Sequence, residues 1–205
     1  WGDKMGISND DLIYICPDSL SQAVDVAVAL LLDDEISLVC MDGIASVGAD
    51  AEADESMEKH QMGVNARFWN KAFRNLQVAM NRSDHGTLLV INSHYDKIGV
   101  AFGNPEKLKS GNQLTLSKSM SLRFEGLSPV KKKIDGADVI AGRNVKVENK
   151  KNKTGIPFKT SKFYFSYVTD DYMEANTTDV EDQVVELALD LGLVKRSGAY
   201  FSVGE

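Results

Sequence analysis

Cysteine and histidine are scarce in this 205-residue sequence. Cys16 and Cys40 lie in or beside apolar, strand-like runs, so we expect small buried side chains of a reducing compartment and no disulfide framework. The three histidines are 25 and 9 residues apart, which matches no zinc-binding spacing. These scarcities argue against a cysteine-stapled domain and against a structural zinc site.

Long apolar runs are also missing. No uninterrupted apolar stretch approaches the roughly 20 residues that span a membrane, and the first residues, Trp1 to Lys4, lack the features of a signal peptide. We therefore expect a soluble, intracellular protein without membrane contact. With 43% hydrophobic residues, the chain can bury a core as one domain with a small appendage.

The net charge of −7 hides an uneven distribution of charge. Residues 1–60 carry 2 basic and 14 acidic side chains, residues 61–163 carry 19 and 7, and residues 164–205 carry 2 and 9. A basic segment between acidic flanks is what a protein that binds a phosphate backbone needs locally. For the lysines at 131–133 we favour solvated surface charge, because Pro129 and Gly136 mark an exposed turn.

Two apolar runs predict core strands of an α/β sheet. Residues 36–42 end in Asp42, and residues 87–91 lead into Asn92. Ligands of open α/β sheets bind beyond the carboxyl ends of such strands. P-loop ATPases present an Asp to the Mg²⁺ of a bound nucleotide in this layout, although an Asp that caps the next turn is a common alternative.

A glycine-rich segment with apolar side chains follows the second strand. Ile98, Val100 and Phe102 lie among Gly99, Gly103 and Pro105, so no regular element can bury them. Exposed apolar side chains on a loop favour insertion into a partner. The sequence therefore predicts a binding loop here.

Helical patterns occur at three places in the chain. Ser19 and Gln22 have capping-box spacing before an apolar face over 23–32. From about residue 62 to 82, apolar residues at four-residue intervals predict a helix with one buried stripe, and residues 179–191 predict an amphipathic helix. The buried stripe consists of Val64, Phe68, Ala72, Leu76 and Met80, and the outward stripe consists of Arg67, Asn70 and Arg74.

The remaining segments favour strands joined by turns. A short strand is predicted at 11–16. Further strands are predicted near 119–126, 143–148 and 159–168, with a terminal hairpin over 193–203. The first two of the later strands are separated by the lysine turn.

Seven segments of the chain follow one another at nearly ungapped spacing: LVCMDG, QMGVNARFWNKAFRNL, LLVIN, KIGVAFGNPE, SGNQL, KNKTGIPFK and GLVKRSGAYFS. Together they resemble the RecA/UvsX family of DNA recombinases over essentially the whole chain. The resemblance implies an α/β fold of the RecA-like P-loop ATPase type, in which the C-terminal part of a mainly parallel sheet is flanked by helices and followed by antiparallel strands. It also implies that this core covers residues 1–168 and that a small C-terminal domain starts over 169–205.

The resemblance implies that two loops, near 43–62 and 93–111, bind single-stranded DNA along a filament axis. Met62 and Ile98 match side chains that wedge between nucleotide triplets, and an exposed apolar loop tip suits insertion between unstacked bases. The residues that match DNA-binding positions are Met62, Gly63, Arg67, Asn70, Arg74, Ile98, Gly99, Phe102, Gly111 and Asn112. Ordinary helix-surface arginines are the alternative for Arg67 and Arg74.

The resemblance also implies ATP and Mg²⁺ as cofactors. Asp42 matches the carboxylate that holds Mg²⁺ through water, and Trp1 and Tyr167 match aromatic residues placed against adenine. Lys151 and Lys153 resemble a catalytic pair that reaches the γ-phosphate of a neighbouring protomer. A secondary DNA patch formed together with Lys146 and Lys150 is the alternative for these lysines, and both roles could coexist.

Some family features differ or are missing. Ser93 stands where bacterial members have the glutamine that senses the γ-phosphate, and the adjacent His94 resembles phage members. Nothing matches G-x-x-x-x-G-K-[ST], and the region of the catalytic glutamate would precede Trp1. We therefore expect a fragment that lacks the phosphate-loop half and is inactive as an ATPase by itself.

The resemblance implies an ATP-dependent recombinase of the DNA-damage response. Such a protein polymerises on single-stranded DNA and promotes pairing and strand exchange with homologous duplex DNA, in a bacterial cytoplasm or in that of a phage host. Two alternatives are a non-catalytic DNA-binding module of RecA type and another RecA-fold ATPase, such as a hexameric helicase.

Overall fold

The computed structural model describes residues 6–44, 64–96, 106–108, 111–134 and 136–203. The chain divides into two compact units, which we call the helical unit, residues 9–118, and the β unit, residues 119–205 with 1–8. No helix among the described residues is both long and apolar enough to cross a membrane.

The helical unit combines helices with short strands. Its elements in order are a 3₁₀ turn Asn9–Asp11, α1 Leu20–Leu31, β1 Leu38–Met41, α2 Val64–Arg82, β2 Thr87–Val90, β3 His94–Asp96, β4 Glu106–Leu108 and α3 Gly111–Ser117. Strands β1 and β2 are parallel, with Leu38 opposite Thr87, and β3 and β4 are antiparallel. The predicted pair of parallel strands is therefore present.

The core of the helical unit forms between α1, α2 and the β1–β2 sheet. Its buried side chains are Leu20, Val24, Ala27, Leu31, Val39, Ile44, Trp69, Ala72, Phe73, Leu76 and Ala79. Trp69 stacks on Phe73 with ring centroids 5.3 Å apart and meets Phe68 edge-on at 5.6 Å. Aromatic pairs in such geometry add to the stabilisation from apolar burial.

The predicted Ser19 cap of α1 is confirmed, but the return bond from the Gln22 side chain is shifted by one residue. Ser19 Oγ accepts the Gln22 backbone N–H at 3.1 Å, as predicted. The Gln22 side chain returns to the Asp18 N–H, at 2.6 Å, and not to the N–H of Ser19. Both bonds satisfy backbone donors that have no partner inside the helix.

The buried stripe predicted for α2 is partly wrong. Ala72 and Leu76 are buried and Phe68 packs against the core, but Met80 is 36% exposed and Trp69, Phe73 and Ala79 take the central positions. A four-residue repeat advances about 400° around a helix of 3.6 residues per turn, so it drifts about 40° at each step. The side chain of Val64 lies outside the described residues.

The strand predicted at 11–16 is wrong, and so is the predicted burial of both cysteines. Residues 12–16 pair with no other described strand, and Tyr14 is 82% exposed. Cys16 and Cys40 are exposed. Cys40 shares its side of β1 with the exposed Leu38, because the opposite side carries the buried Val39. An apolar run alone does not show whether a partner strand or a covering layer is present.

The β unit is built on a three-stranded antiparallel sheet in the order β5-β6-β7. Its elements are β5 Met120–Ile134, β6 Ala137–Asn152, β7 Thr160–Ser166, α4 Val180–Asp190, β8 Val194–Ser197 and β9 Tyr200–Val203. Asp179 Oδ1 accepts the Asp182 N–H at 2.9 Å to cap α4, and Gly192 follows with φ +71°. The predicted terminal helix and hairpin are confirmed.

The lysine turn predicted between 126 and 143 is wrong. Lys131, Lys132 and Lys133 lie within β5, opposite residues 138–140, and the chain turns at Gly136 with φ +83°. Register shifts near Pro129 let β5 continue past a residue that has no N–H for a regular ladder. Lys132 is not a freely solvated charge, because its Nζ donates to Asp170 Oδ2 at 2.5 Å.

The domain boundary predicted at 168/169 stays a prediction. The compact units divide between residues 118 and 119. Residues on both sides of 168 are joined by hydrogen bonds, since the Asn176 N–H donates to Ser166 O at 2.8 Å and the Asp179 N–H donates to Tyr164 O at 3.2 Å.

Candidate nucleic-acid interface and nucleotide site

Helix α2 presents a basic stripe on its exposed side. Arg67, Lys71 and Arg74 are exposed, whereas the opposite side of the helix carries the buried core residues Trp69 and Phe73. Spacings of four and three residues place the three cations along one side of the helix. None of them forms an ion pair with another residue in the described part of the chain. The stripe can therefore take up phosphates without breaking an ion pair to another described residue.

Asn70 does not belong to this exposed stripe, contrary to the prediction. It is half-buried, and its Oδ1 accepts the backbone N–H of Gln113 at 3.0 Å. Its side chain therefore contacts the beginning of α3, 43 residues further along the chain. The prediction went wrong because the partner of Asn70 is distant in sequence.

Further polar contacts join α2 and α3, and no local sequence pattern predicts them. Gln113 Nε2 donates to Ser117 Oγ at 3.1 Å, and the Ser117 hydroxyl donates to Gln77 Oε1 at 3.1 Å. We call these contacts, together with the Asn70–Gln113 bond, the α2–α3 polar ladder. It holds the helix that follows the second predicted DNA loop against the basic helix.

The ends of β1 and β2 bring Asp42 and Ser93 to the same sheet edge. The Ile91 N–H donates to Met41 O and the Ile44 N–H donates to Ile91 O, both at 3.0 Å, so the backbones stay paired beyond the strands. Asp42, Ser93 and His94 are exposed there, and the Ser93 N–H donates to Asn92 Oδ1 at 2.8 Å. Carboxylate, amide and hydroxyl oxygens thus lie at the edge where α/β sheets bind ligands.

The carboxylate of Asp42 affects the pKa of the nearby Cys40 thiol. Partial burial raises the pKa of the Cys40 thiol, and the Asp42 carboxylate raises it further. A thiol with a raised pKa is a poorer metal ligand and nucleophile near neutral pH. Cys40 therefore does not compete with oxygen ligands at this edge.

The donor set around Asp42 fits Mg²⁺ and not a closed metal cage. The described residues contain no group of three or more His, Cys, Asp or Glu side chains that could hold a metal ion. Mg²⁺ keeps several waters and is commonly bound through one or two carboxylates together with substrate phosphates. A single exposed carboxylate at a strand end suits that mode of binding.

The second predicted DNA loop, 93–111, is not irregular throughout. Its described ends form strands β3 and β4, with His94 opposite Leu108 and Asp96 opposite Glu106. The residues between them include Ile98, Gly99 and Phe102, which lie outside the described residues, as do Trp1, Met62 and Gly63. Gly111 and Asn112 begin α3, and only their backbone is described.

Lys151 and Lys153 lie at the end of β6 in the β unit. Lys151 is half-buried opposite Ser121, and Lys153 is exposed, with its N–H donating to Ser119 O at 2.9 Å. Asn152 Oδ1 accepts both the N–H and the hydroxyl of Thr154 at 2.9 Å, which orders the turn beyond the lysines. The two side chains are thus carried on a defined strand end.

Lys150, a member of the secondary DNA patch given as the alternative role, forms an ion pair. Lys150 Nζ lies 2.8 Å from Glu148 Oε1, and this hydrogen bond lowers the pKa of Glu148. A phosphate would have to compete with that carboxylate for Lys150. The patch is therefore less available to DNA phosphates than the stripe on α2.

Tyr167 is a predicted nucleotide-contacting residue on the described part of the β unit. Its ring is 45% exposed and meets Phe165 edge-on, with centroids 5.9 Å apart. Its backbone N–H donates to Ala141 O at 2.8 Å, which ties the residue to β6. An anchored aromatic ring with an open face can stack on a base.

Comparison with known proteins places these features in a family context. The family model described as the RecA N-terminal domain matches residues 1–170. Protein RecA of Bacteroides thetaiotaomicron is 31% identical over 202 residues, covering 98% of this chain and 58% of that protein. Protein RecA of Syntrophus aciditrophicus is 33% identical over 201 residues, covering 98% of this chain and 55% of that protein. The chain therefore spans little more than half the length of these relatives.

A solved structure shows the same fold. The crystal structure of the RadB recombinase matches with a TM-score of 0.50 and 14% identity, covering 80% of this chain and 66% of that one. At this identity the likeness speaks for the fold alone. The predicted fold class, with parallel strands and helices followed by antiparallel strands, is confirmed.

Proposed function

We propose that this chain, which belongs to the RecA family, binds single-stranded DNA as part of a recombination protein that forms filaments and exchanges strands between homologous DNAs. The observation that carries the proposal is the exposed stripe of Arg67, Lys71 and Arg74 on a helix whose other side is fixed in a core. The family match supports the same function. The cytoplasm, bacterial or of a phage host, is the proposed location.

The DNA would be held through its phosphates and spaced by apolar side chains. Arg67 and Arg74 would bind phosphates from α2, and the backbone of Gly111 with Asn112 would do so from the start of α3. Bases would meet the loop residues that match the family positions, namely Met62, Gly63, Ile98, Gly99 and Phe102. Binding through phosphates and stacking depends little on base sequence, which suits a protein that pairs any homologous DNAs.

Mg²⁺ and ATP are the proposed cofactors. Asp42 would hold the ion through water, Ser93 or His94 would lie near the terminal phosphate, and Tyr167 with Trp1 would contact adenine. When bound, Mg-ATP supplies a phosphoryl group whose transfer is assisted by positive charge. Lys151 and Lys153 would provide such charge to a neighbouring protomer, which would connect turnover to filament assembly.

The chain by itself supplies only part of a nucleotide site. Its 205 residues contain no G-x-x-x-x-G-K-[ST] motif to cradle phosphates. We therefore expect no ATP turnover by these residues alone, and the DNA-dependent ATPase activity belongs to the proposal for the whole protein.

Binding of a fluorescent single-stranded oligonucleotide to this chain, followed by anisotropy, tests the proposal. We expect saturable binding that weakens with added salt and differs little between oligonucleotides of unrelated sequence. Absence of binding to single strands, with or without Mg-ATP, would contradict it. In a longer protein that contains this sequence, DNA-stimulated ATP turnover would favour the recombinase over the non-catalytic module. Rings instead of helical filaments in electron micrographs of that protein would favour a hexameric helicase.

A further inference from the structure

Helix α3 has little apolar contact to hold it in place. It contains seven residues, and a helix of that length is not stable in isolation. Leu114 packs against the core cluster, whereas Leu116 is 66% exposed. The position of α3 therefore depends on Leu114 and on hydrogen bonds to neighbouring elements.

The α2–α3 polar ladder supplies these bonds at both ends of α3. Asn70 Oδ1 accepts the Gln113 backbone N–H at 3.0 Å, which satisfies a first-turn donor that has no partner inside the helix. One turn later, Ser117 Oγ accepts from Gln113 Nε2 and donates to Gln77 Oε1, both at 3.1 Å. Asn70 and Gln77 are seven residues apart, so they lie on one side of α2 about two turns from each other.

We propose that Asn70 and Gln77 are positioning residues that fix α3 on α2 and thereby couple the two predicted DNA loops. Helix α2 begins just after the first loop, 43–62, and α3 begins where the second, 93–111, ends. With the ladder intact, α2 and α3 keep one relative position, so DNA bound to one helix would meet the other in a fixed register. This coupling rests on the proposed DNA-binding function, whereas the placement of α3 does not.

Hydrogen exchange of the α3 amides tests the placement without DNA. We expect the Gln113 amide to exchange about five- to tenfold faster in Asn70→Ala, because one net hydrogen bond is lost. Asn70→Asp should restore protection because its carboxylate keeps the acceptor oxygen. Asn75→Ala, at an exposed position of the same helix, is the matched control and should change nothing. Unchanged exchange of residues 111–117 in both Asn70→Ala and Gln77→Ala would overturn the proposal.

Oligonucleotide binding at several salt concentrations tests the coupling. We expect Gln77→Ala and Ser117→Ala to weaken binding several-fold without changing the salt slope, because no phosphate contact is removed. A salt slope reduced by about one unit in Asn70→Ala, with unchanged exchange in α3, would make Asn70 a phosphate ligand and overturn its positioning role. An unmodified chain that binds no oligonucleotide would overturn the proposed function, while the exchange result would still decide the placement of α3.

Discussion

The helical unit and the β unit are stabilised in different ways. Among the described residues of the helical unit, eleven buried apolar side chains form one cluster. In the described part of the β unit, Ala141 is the one buried apolar side chain, and Phe124 on β5 is 62% exposed. The β unit instead depends on its strand ladder and on bonds such as that from the Ser166 hydroxyl to Val168 O at 2.7 Å.

This difference decides which surface is better prepared for binding. A side chain on α2 projects from a helix whose other side is packed into the core, so the backbone that carries it is fixed before a ligand arrives. Binding to a preorganised surface avoids part of the entropy cost of ordering it. The basic stripe on α2 is therefore a stronger candidate for the DNA interface than the lysines on the open sheet of the β unit.

The largest effect should come from matched phenylalanine truncations in the two units. Phe73→Ala removes a ring that is 3% exposed and stacked on Trp69, so we expect a loss of about 3–5 kcal/mol in unfolding free energy. Phe124→Ala removes a ring that is mostly in solvent and should cost less than about 1 kcal/mol. Urea denaturation followed by circular dichroism measures both, and equal losses would show that the two units do not differ in this way.

A smaller loss of stability is expected at Gly142 of the β unit, where neighbouring atoms leave no room for a side chain. A Cβ added at Gly142 would lie 2.4 Å from both Phe165 O and Tyr164 Oη, so Gly142→Ala should cost about 1–3 kcal/mol through overpacking. Gly155→Ala is the control, because its Cβ would meet only the Asn152 side chain, at 3.2 Å. Similar thermal stability of the two variants would argue against close packing around Gly142.

The Lys132–Asp170 ion pair of the β unit should make a small, pH-dependent contribution to stability. The hydrogen bond from Lys132 lowers the pKa of Asp170, helped by the backbone N–H groups of Tyr172 and Met173, and it raises the pKa of Lys132. A carboxyl group with a lowered pKa stabilises the fold above its ordinary pKa, and this contribution disappears as the pH falls through its lowered value. The lysine contribution is complete below its ordinary pKa and disappears as the pH rises through its raised value.

Melting temperatures measured across the acid range test this linkage. Below about pH 4 we expect the unmodified chain to lose more stability than Asp170→Asn, which has no carboxylate to protonate. The exposed neighbour Asp171 offers the control Asp171→Asn, which should follow the unmodified chain. Identical dependence of melting temperature on pH for all three chains would show that the ion pair does not contribute to stability.

Features that depend on neighbours in sequence were predictable. The cap at Ser19, the helix predicted over 179–191 and the strands that end near Asp42 and Asn92 all follow from local patterns, and the structure confirms them. Hydrophobic period, capping side chains and glycine at positive φ act within a few residues. The exposure of Arg67 and Arg74 was predictable for the same reason.

Features that depend on distant partners were not predictable. Lys132 looked like solvated charge because Asp170 is 38 residues away, and Asn70 looked exposed because Gln113 is 43 residues away. The apolar run at 11–16 favoured a strand, yet an apolar pattern specifies burial only where a partner is present. The candidate site was therefore predictable in its charges but not in the polar contacts that position them.

The salt dependence of oligonucleotide binding tests the central claim most directly. We expect Arg67→Ala/Arg74→Ala to reduce the slope of log affinity against log salt by about two units, one for each lost phosphate contact. The matched double variant of the β unit, Lys131→Ala/Lys133→Ala, removes two exposed cations and should leave the slope unchanged. An unchanged slope in the arginine variant, with a reduced slope in the lysine variant, would contradict the assignment of the DNA interface to α2.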